Sequence, residues 1–250
     1  WTSPTAIYQQ PESIQNYVQN FSKTWAENEI ETNTNVYAKE SMADKAMRTR
    51  KEFFREVEGG LLFGRKGKET ISGQSRRRTG GIVEYIPGAS TALDGVSRFM
   101  DFNGAFDLDT FREKMEIAFR YGSQEKTAFC GGKFFTVLYN ALEKFITAND
   151  GLSKKWGWKV FTLETGHGLL HLMRHPLLSD FDTSGQAWAF DMIGVDLNYV
   201  DLMVMKNMDV QIKNNVQDND VHKEKNELYG SLGLKRSHPS SHFVIHGITG

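Results

Sequence analysis

The sequence predicts an α+β chain, and three observations predict it. Helical periodicities fall before Thr147, and strand-like pieces dominate after Trp156. Nowhere do the two alternate as a parallel βαβ sheet requires. No repeat of fixed period and no low-complexity tract disturbs this order.

Composition bounds the rest. At 250 residues the chain is one large domain or two modest ones, with 39% hydrophobic residues and 17 Phe. Thirty basic against 31 acidic residues leave a formal charge of −1, which argues against a nucleic-acid binder steered by net charge. One cysteine, Cys130, excludes an intrachain disulfide framework and a multi-cysteine zinc site, and fits a reducing compartment. No apolar run reaches membrane-span length, because Asp191, Asp196 and Asp201 interrupt the best candidate. The first residue is Trp1 and no signal peptide follows, so the expectation is a processed chain or one lacking its beginning.

Each element follows from its local pattern. WTSPTAIYQQPES carries two prolines and reads as an extended arm. Tyr17, Phe21 and Trp25 fall four apart, which suits one face of a helix or one face of a strand equally. From Tyr37 to Phe63, Ala43, Met47, Phe54, Val57 and Leu61 form an apolar stripe opposite Lys, Arg and Glu. A helix of roughly 25 residues there would be about 37 Å long, a strut ended by Gly64. Residues 64–81 are basic, Gly-rich and nearly without apolar side chains; IVEYI (82–86) alternates like a strand, Pro87-Gly88 turns it, and 89–106 looks irregular. Asp109–Tyr121 reads as a helix with Thr110 and Glu113 placed for a capping box and Gly122 at its exit. Gly132–Thr147 reads as a second helix burying Phe134, Leu138, Leu142 and Phe145 or Ile146. Strands are expected at WKVFTLET, GLLHLMRHP, QAWAFDMI and YVDLMVM. A polar stretch from Asn214 to Glu227 follows, then two short strands around the His-Pro turn of LYGSLGLKRSHPSSHFVIHGI.

Candidate chemistry is sparse. His167, His171 and His175 repeat every four residues, which on a helix would stack three imidazoles for a metal. Gly166, Gly168 and Pro176 instead make the segment a hairpin with His167 in its turn, so solvated or partner-facing histidines are expected. GRKGKET (64–70) fails the phosphate-loop pattern, with two residues between its glycines and Glu69 after the lysine. Arg65, Lys66, Lys68, Arg76, Arg77 and Arg78 stand against Glu69 alone, a local +5 suited to phosphate, to an acidic neighbouring surface, or simply to solvent. Few aromatics interleave with it, which disfavours stacking on single strands. Cys130 lies in TAFCGG, between two helices, without a local base, and reads as a buried thiol. The aspartates at 191, 196 and 201 read as strand ends and turns. No constellation amounts to an active site.

In their order, the pieces resemble the major capsid proteins of tailed bacteriophages, the Hong Kong 97-type fold. NYVQNFSKTW (16–25) looks like that family's returning strand of the extended loop, which favours strand over helix there. KAMRTRKEFFREVEGGLLFGRK (45–66) resembles its long spine helix and following turn. GQSRRRTGGIVEYI (73–86) resembles its passage toward the axial domain, and GSLGLKRSHPSSHFVIHGI (230–248) its strand–turn–strand ending. The family's clasping amino-terminal arm is short or absent here, and the resemblance does not place GRKGKET and QDNDVHKEKNE.

The resemblance implies a division into an arm and extended loop (1–36), a peripheral domain with spine helix 38–63 and basic loop 64–81 (37–106), an axial domain (107–205), and a return to the peripheral sheet (206–250). It implies a non-enzymatic shell subunit without cofactor or metal, self-assembling as hexamers and pentamers into an icosahedral head around double-stranded DNA. Tyr17, Phe21, Trp25 and the six cations of 65–78 are the implied subunit contacts. Implied partners are further copies, a decoration or cement protein, portal and scaffold, and DNA by non-specific contact, with no membrane. The location would be the virion, after assembly in the host cytoplasm. Alternatives are a nanocompartment shell of the same fold, an enzyme using the histidine row and Cys130, and a nucleic-acid module built on the basic loop.

Overall fold

The computed structural model describes residues 13–28, 41–142, 152–155, 158–180, 188–218 and 223–248. The first element among the described residues is β1 (Gln19–Asn28), so Phe21 and Trp25 lie on a strand face. Helix α1 (Met42–Phe63) follows, then a hairpin of β2 (Gly67–Ile71) and β3 (Gln74–Arg78), and a short α2 (Ile82–Tyr85). Next come β4 (Phe99–Gly104), α3 (Leu108–Phe119), β5 (Glu125–Cys130) and α4 (Gly132–Leu142). Strands β6 (Leu152–Lys155), β7 (Trp158–Thr165) and β8 (Gly168–Arg174) precede α5 (Pro176–Asp180). The last strands are β9 (Met192–Val195), β10 (Val200–Val204), β11 (Gln211–Lys213), β12 (Lys223–Arg236) and β13 (Phe243–Ile248).

Two sheets carry the body. In the first, the long β12 is flanked antiparallel by β1 on one edge and by β10 and β11 in succession on the other. The second is mixed, in the order β4-β13-β9-β5-β8-β7-β6, with β4–β13 and β5–β8 parallel. A mixed sheet beside an antiparallel one, with helices placed irregularly, is the α+β organisation.

Helix α1 begins in a capping box. Ser41 Oγ accepts from Asp44 N at 3.1 Å, and the Asp44 carboxylate accepts from Ser41 N at 3.4 Å. Its 22 residues make it about 33 Å long. The buried stripe is Thr49, Phe53, Val57 and Leu62, which corrects the phase expected from the sequence: Met47 is 60% exposed and Phe54 39%. Phe53 and Phe54 are adjacent, and Thr49 occupies a core position that a larger apolar residue would have marked. Residues 37–40 and the far end of the second helix, beyond Leu142, lie outside the described residues.

Three apolar clusters hold these layers. Phe21, Phe53, Val57, Leu228 and Leu232 seat α1 on the first sheet. Phe111 and Met115 of α3 and Phe134 and Leu138 of α4 cover one face of the second sheet, against Ala128, Leu170, Leu172 and Phe243. Its other face joins the end of α1 through Leu62, Ile82, Leu178, Ile193 and Leu234. Because β9 sends Met192 into one cluster and Ile193 and Val195 into another, it is apolar throughout.

Several local expectations are corrected. Residues 82–85 are helical: Ile82 and Ile86 are both buried, and a four-residue spacing fits a helix turn as well as a strand. Within 89–106, Phe99–Gly104 is a strand, added in parallel to β13. Helix α3 is capped by Asp107, whose carboxylate accepts from Thr110 N at 2.9 Å, not by Thr110 itself. QAWAFDMI splits into a 3₁₀ turn at Trp188–Phe190 and β9, and TAFCGG is the end of a strand. The ending is one 14-residue strand and one short strand in different sheets, not a local pair. Polar Lys223–Glu227 belong to β12 because β1 pairs with them along its whole length.

Candidate assembly interface

The basic segment is a free-standing β-hairpin with anchored feet. At the first foot, Lys66 N donates to both Glu84 carboxylate oxygens, at 2.8 and 3.0 Å. At the second, the Asn16 side chain donates to Leu234 O at 2.7 Å and Gly80 O at 3.1 Å, and accepts from Gly80 N at 2.8 Å. Thr79 N donates to Gln19 Oε1 at 3.2 Å, and Thr79 Oγ1 accepts from Leu234 N at 3.3 Å. Beyond these feet every residue of β3 is exposed.

Its charges are not balanced internally. The register sets Lys68 opposite Arg77, and like charges directly opposite oppose pairing. Glu69 pairs with Arg78, and the cations of Lys66 and Arg77 lie 5.5 and 5.9 Å from the Tyr17 ring centroid. A two-stranded hairpin without an apolar face is marginally stable alone, so the anchored feet carry its position.

The other predicted contact residues separate. Phe21 is 3% exposed, and its ring lies where a Cβ on Gly60 would come within 3.0 Å; it is a core residue of its own chain, not a free contact. The sequence misleads here because β1 is covered by α1 on the face that carries Phe21. Trp25, four residues further along on the same face, is partly covered. It lines an apolar groove of about 500 Å³ with Met47, Phe54, Val210, Ile212 and Leu228.

The histidines do not converge. His167 is exposed in the β7–β8 turn. His171 bridges Glu125 Oε1 at 2.7 Å and Thr162 Oγ1 at 3.1 Å, on neighbouring strands. His175 is buried edge-on to Phe129, and its Nε2 lies 3.8 Å from Glu58 Oε2; burial holds its pKa below the usual value. On a strand, four residues span about 13 Å, too far for one metal to reach successive members. Among the described residues no three His, Cys, Asp or Glu are grouped for a metal. Cys130 is fully buried and burial drives its thiol pKa up, the opposite of an activated nucleophile.

A buried polar cluster went unread in the sequence. Lys126, 1% exposed, donates from Nζ to Ala118 O, Tyr121 O and Ser241 O at 2.7, 2.8 and 2.7 Å. Burial pulls its pKa down to about 8. Asp196 accepts from Ser123 N at 2.6 Å and caps the turn at Leu197, and its own N–H donates to His242 Nδ1 at 3.2 Å. Gly122, at φ 86°, is required there: a Cβ would meet Asp196 Oδ2 at 2.6 Å. Burial, followed by the Lys126 charge, lowers the His242 pKa to about 4. Arg98, fully buried, pairs with Asp94 at 3.0 Å and donates from Nε to Ser240 O. The signal was the parity of β5, which puts Lys126 on the same buried face as Ala128 and Cys130. These groups tie the end of α3, β5 and the 239–242 turn together. Of the sequence aspartates, Asp201 forms a surface pair with Lys235, and Asp191 sits in an aromatic cleft with Trp188 and Phe190, its pKa raised by burial to about 6.

Among the described residues, the most exposed charged feature is this anchored cationic hairpin. Comparison with known structures identifies the fold. The holo-SrpI encapsulin complex from Synechococcus elongatus PCC 7942 superposes with a TM-score of 0.58 at 10% identity, covering 92% of this chain and 74% of that one. The capsid of an empty GTA particle gives 0.58 at 12% identity, covering 100% and 80%. Gordonia phage Cozz gives 0.57 at 11%, covering 100% and 78%. At such identities these likenesses establish the fold. No curated protein matches the chain. The model of the SU10 major capsid protein family matches residues 2–249. The chain therefore belongs to the SU10 major capsid protein family, with the Hong Kong 97-type fold and a structural, non-enzymatic role.

Proposed function

We propose that the chain is the major capsid subunit of a tailed-phage head, whose copies assemble as hexamers and pentamers into a closed icosahedral shell around double-stranded DNA. The family match over nearly the whole chain is the observation that carries this reading. In its terms, residues 1–36 are the arm and extended loop, 37–106 the peripheral domain with α1 as its spine, and 107–205 the axial domain. Residues 206–250 return to the peripheral domain, except that β13 joins the second sheet. Assembly takes place in the host cytoplasm, with portal, scaffold and any decoration protein as further partners.

Tyr17, Trp25 and the cations Arg65, Lys66, Lys68, Arg76, Arg77 and Arg78 are the subunit contacts in this proposal. The hairpin's uncompensated charge supports an acidic surface on an adjoining copy as its partner, and its two anchored feet hold it ready. Exposed ion pairs contribute only about 0–1 kcal/mol each, so the variant that tests this removes Arg76, Arg77 and Arg78 together. Wild-type association should weaken as salt rises, and the triple alanine variant should associate less and lose that salt dependence. Unaltered assembly with less packaged DNA would refute the contact and turn these arginines toward the genome. A nanocompartment shell has the same fold, and nuclease-protected DNA inside the particles separates the two.

A further inference from the structure

The face of the first sheet that carries α1 is only half covered. Helix α1 lies over β1 and β12, where Phe21, Leu228, Leu232 and Leu234 are buried. The antiparallel register places Ile212 beside Leu228, Val204 beside Leu232 and Leu202 beside Leu234, so all three share that face. They are 55%, 42% and 55% exposed. Met47 and Phe54 project from the adjoining flank of α1, 60% and 39% exposed, and the groove of about 500 Å³ runs between them and Ile212. Met47, Phe54 and Ile212 meet at this groove, and Val204 and Leu202 continue the strip along the same sheet face.

The size of the strip points to what covers it. A fully exposed large apolar residue presents roughly 200 Å², so these exposures amount to about 500 Å². That is near the upper limit of the apolar patch a monomer ordinarily leaves in water. A standard protein interface buries about 800 Å² per partner, somewhat over half of it apolar. The strip therefore supplies roughly the whole apolar share of one such interface.

We infer that this strip is the seat of a second copy of the same chain, packed against the outer flank of α1 and the uncovered β10–β11 half of the sheet. This rests on the reading of the chain as a shell subunit, in which the molecules at hand to cover an apolar face are other copies. The basic hairpin follows α1 beyond Phe63, and its second foot is bonded to Leu234 on the β1 side of β12, across that strand from Leu202. The contact is heterologous unless the strip meets its own copy across a dyad.

Because Cys130 is fully buried, Ile212→Cys introduces a single accessible thiol. Its rate of modification by a maleimide is measured on dissociated subunits and on assembled particles. The expected result is rapid labelling of free subunits and at least tenfold slower labelling after assembly. Equal rates in the two states would overturn the inference, and would leave the shell reading intact if particles form. Slow labelling already in dissociated subunits would overturn it in favour of a cover from the same chain. Protection that appears only when a different protein is added would overturn it in favour of that partner. As a second readout, Ile212→Lys combined with Leu202→Lys should keep the wild-type melting curve of the subunit but lose association. A wild-type chain that never associates contradicts both this inference and the shell reading, whereas a double variant that assembles normally contradicts this inference alone.

Discussion

Phe53 and Phe54 are neighbours in sequence and opposites in burial, and truncating each in turn tests the packing of α1. Phe53 is 0% exposed and packs with Phe21, Val57, Leu228 and Leu232, while Phe54 meets it edge-on at 5.6 Å between ring centroids. Phe53→Ala removes a fully buried ring from a site bounded by a helix and two strands, which cannot close over the void. The expected loss is about 3–5 kcal/mol. For a chain of this length, about 2–4 °C per kcal/mol makes that a fall in Tm of roughly 6–20 °C. Phe54→Ala removes a partly exposed ring and one edge-on contact, worth about 1 kcal/mol. Thermal unfolding of dissociated subunits followed by circular dichroism measures both. Equal losses, or a greater loss for Phe54→Ala, would refute the assigned phase of the helix. Phe54→Ala should instead show its effect in association.

At the hairpin foot, Asn16→Ala removes bonds to Leu234 O, Gly80 O and Gly80 N. It should cost about 1–3 kcal/mol and raise protease cleavage within 65–78, measured by limited digestion against wild type. The pH dependence sets two groups against each other. His242, with its folded pKa lowered to about 4, leaves the unfolded chain binding more protons between about pH 4 and 6.5, so its contribution to stability falls as pH drops through that window. Asp191, raised to about 6, makes the folded chain bind more protons between about pH 4 and 6, so its contribution rises as pH drops. Each shift corresponds to roughly 3 kcal/mol at most, and the two largely cancel in the wild type. Asp191→Asn should therefore be more stable than wild type at pH 7 and lose stability more steeply between pH 6 and 4. Urea titrations at pH 7, 5.5 and 4.5 read this, and parallel wild-type and variant pH profiles would contradict it.

Much of the architecture was legible because it rests on local rules. The spine helix declared itself through its apolar stripe and charged outer face, although its phase was misread. The stripe holds Thr49 on its buried side and Met47 and Phe54 on its exposed side, so the sequence showed two apolar flanks and no means to rank them. The exposed flank is the one that a second copy would cover, and a single chain's periodicity carries no mark of the difference. Long-range pairing was the other blind spot. Polar Lys223–Glu227 become a strand because β1, some two hundred residues away, pairs with them, and Phe99–Gly104 becomes one because β13 lies beside it. Lys126 was hidden for the opposite reason: the carbonyls that satisfy it come from Ala118, Tyr121 and Ser241, two of them in its own vicinity and one near the far end of the chain. The cationic hairpin was visible as charge, but its two strands were not, since neither carries an apolar alternation.

The central claim is that this chain closes a shell with copies of itself, and electron microscopy of the purified, concentrated protein tests it most directly. The account predicts closed particles of uniform diameter built from six-fold and five-fold clusters, with the outer flank of α1 and the basic hairpin both at contacts between copies. A monodisperse monomer at high concentration, with no particles under any salt condition, would contradict it.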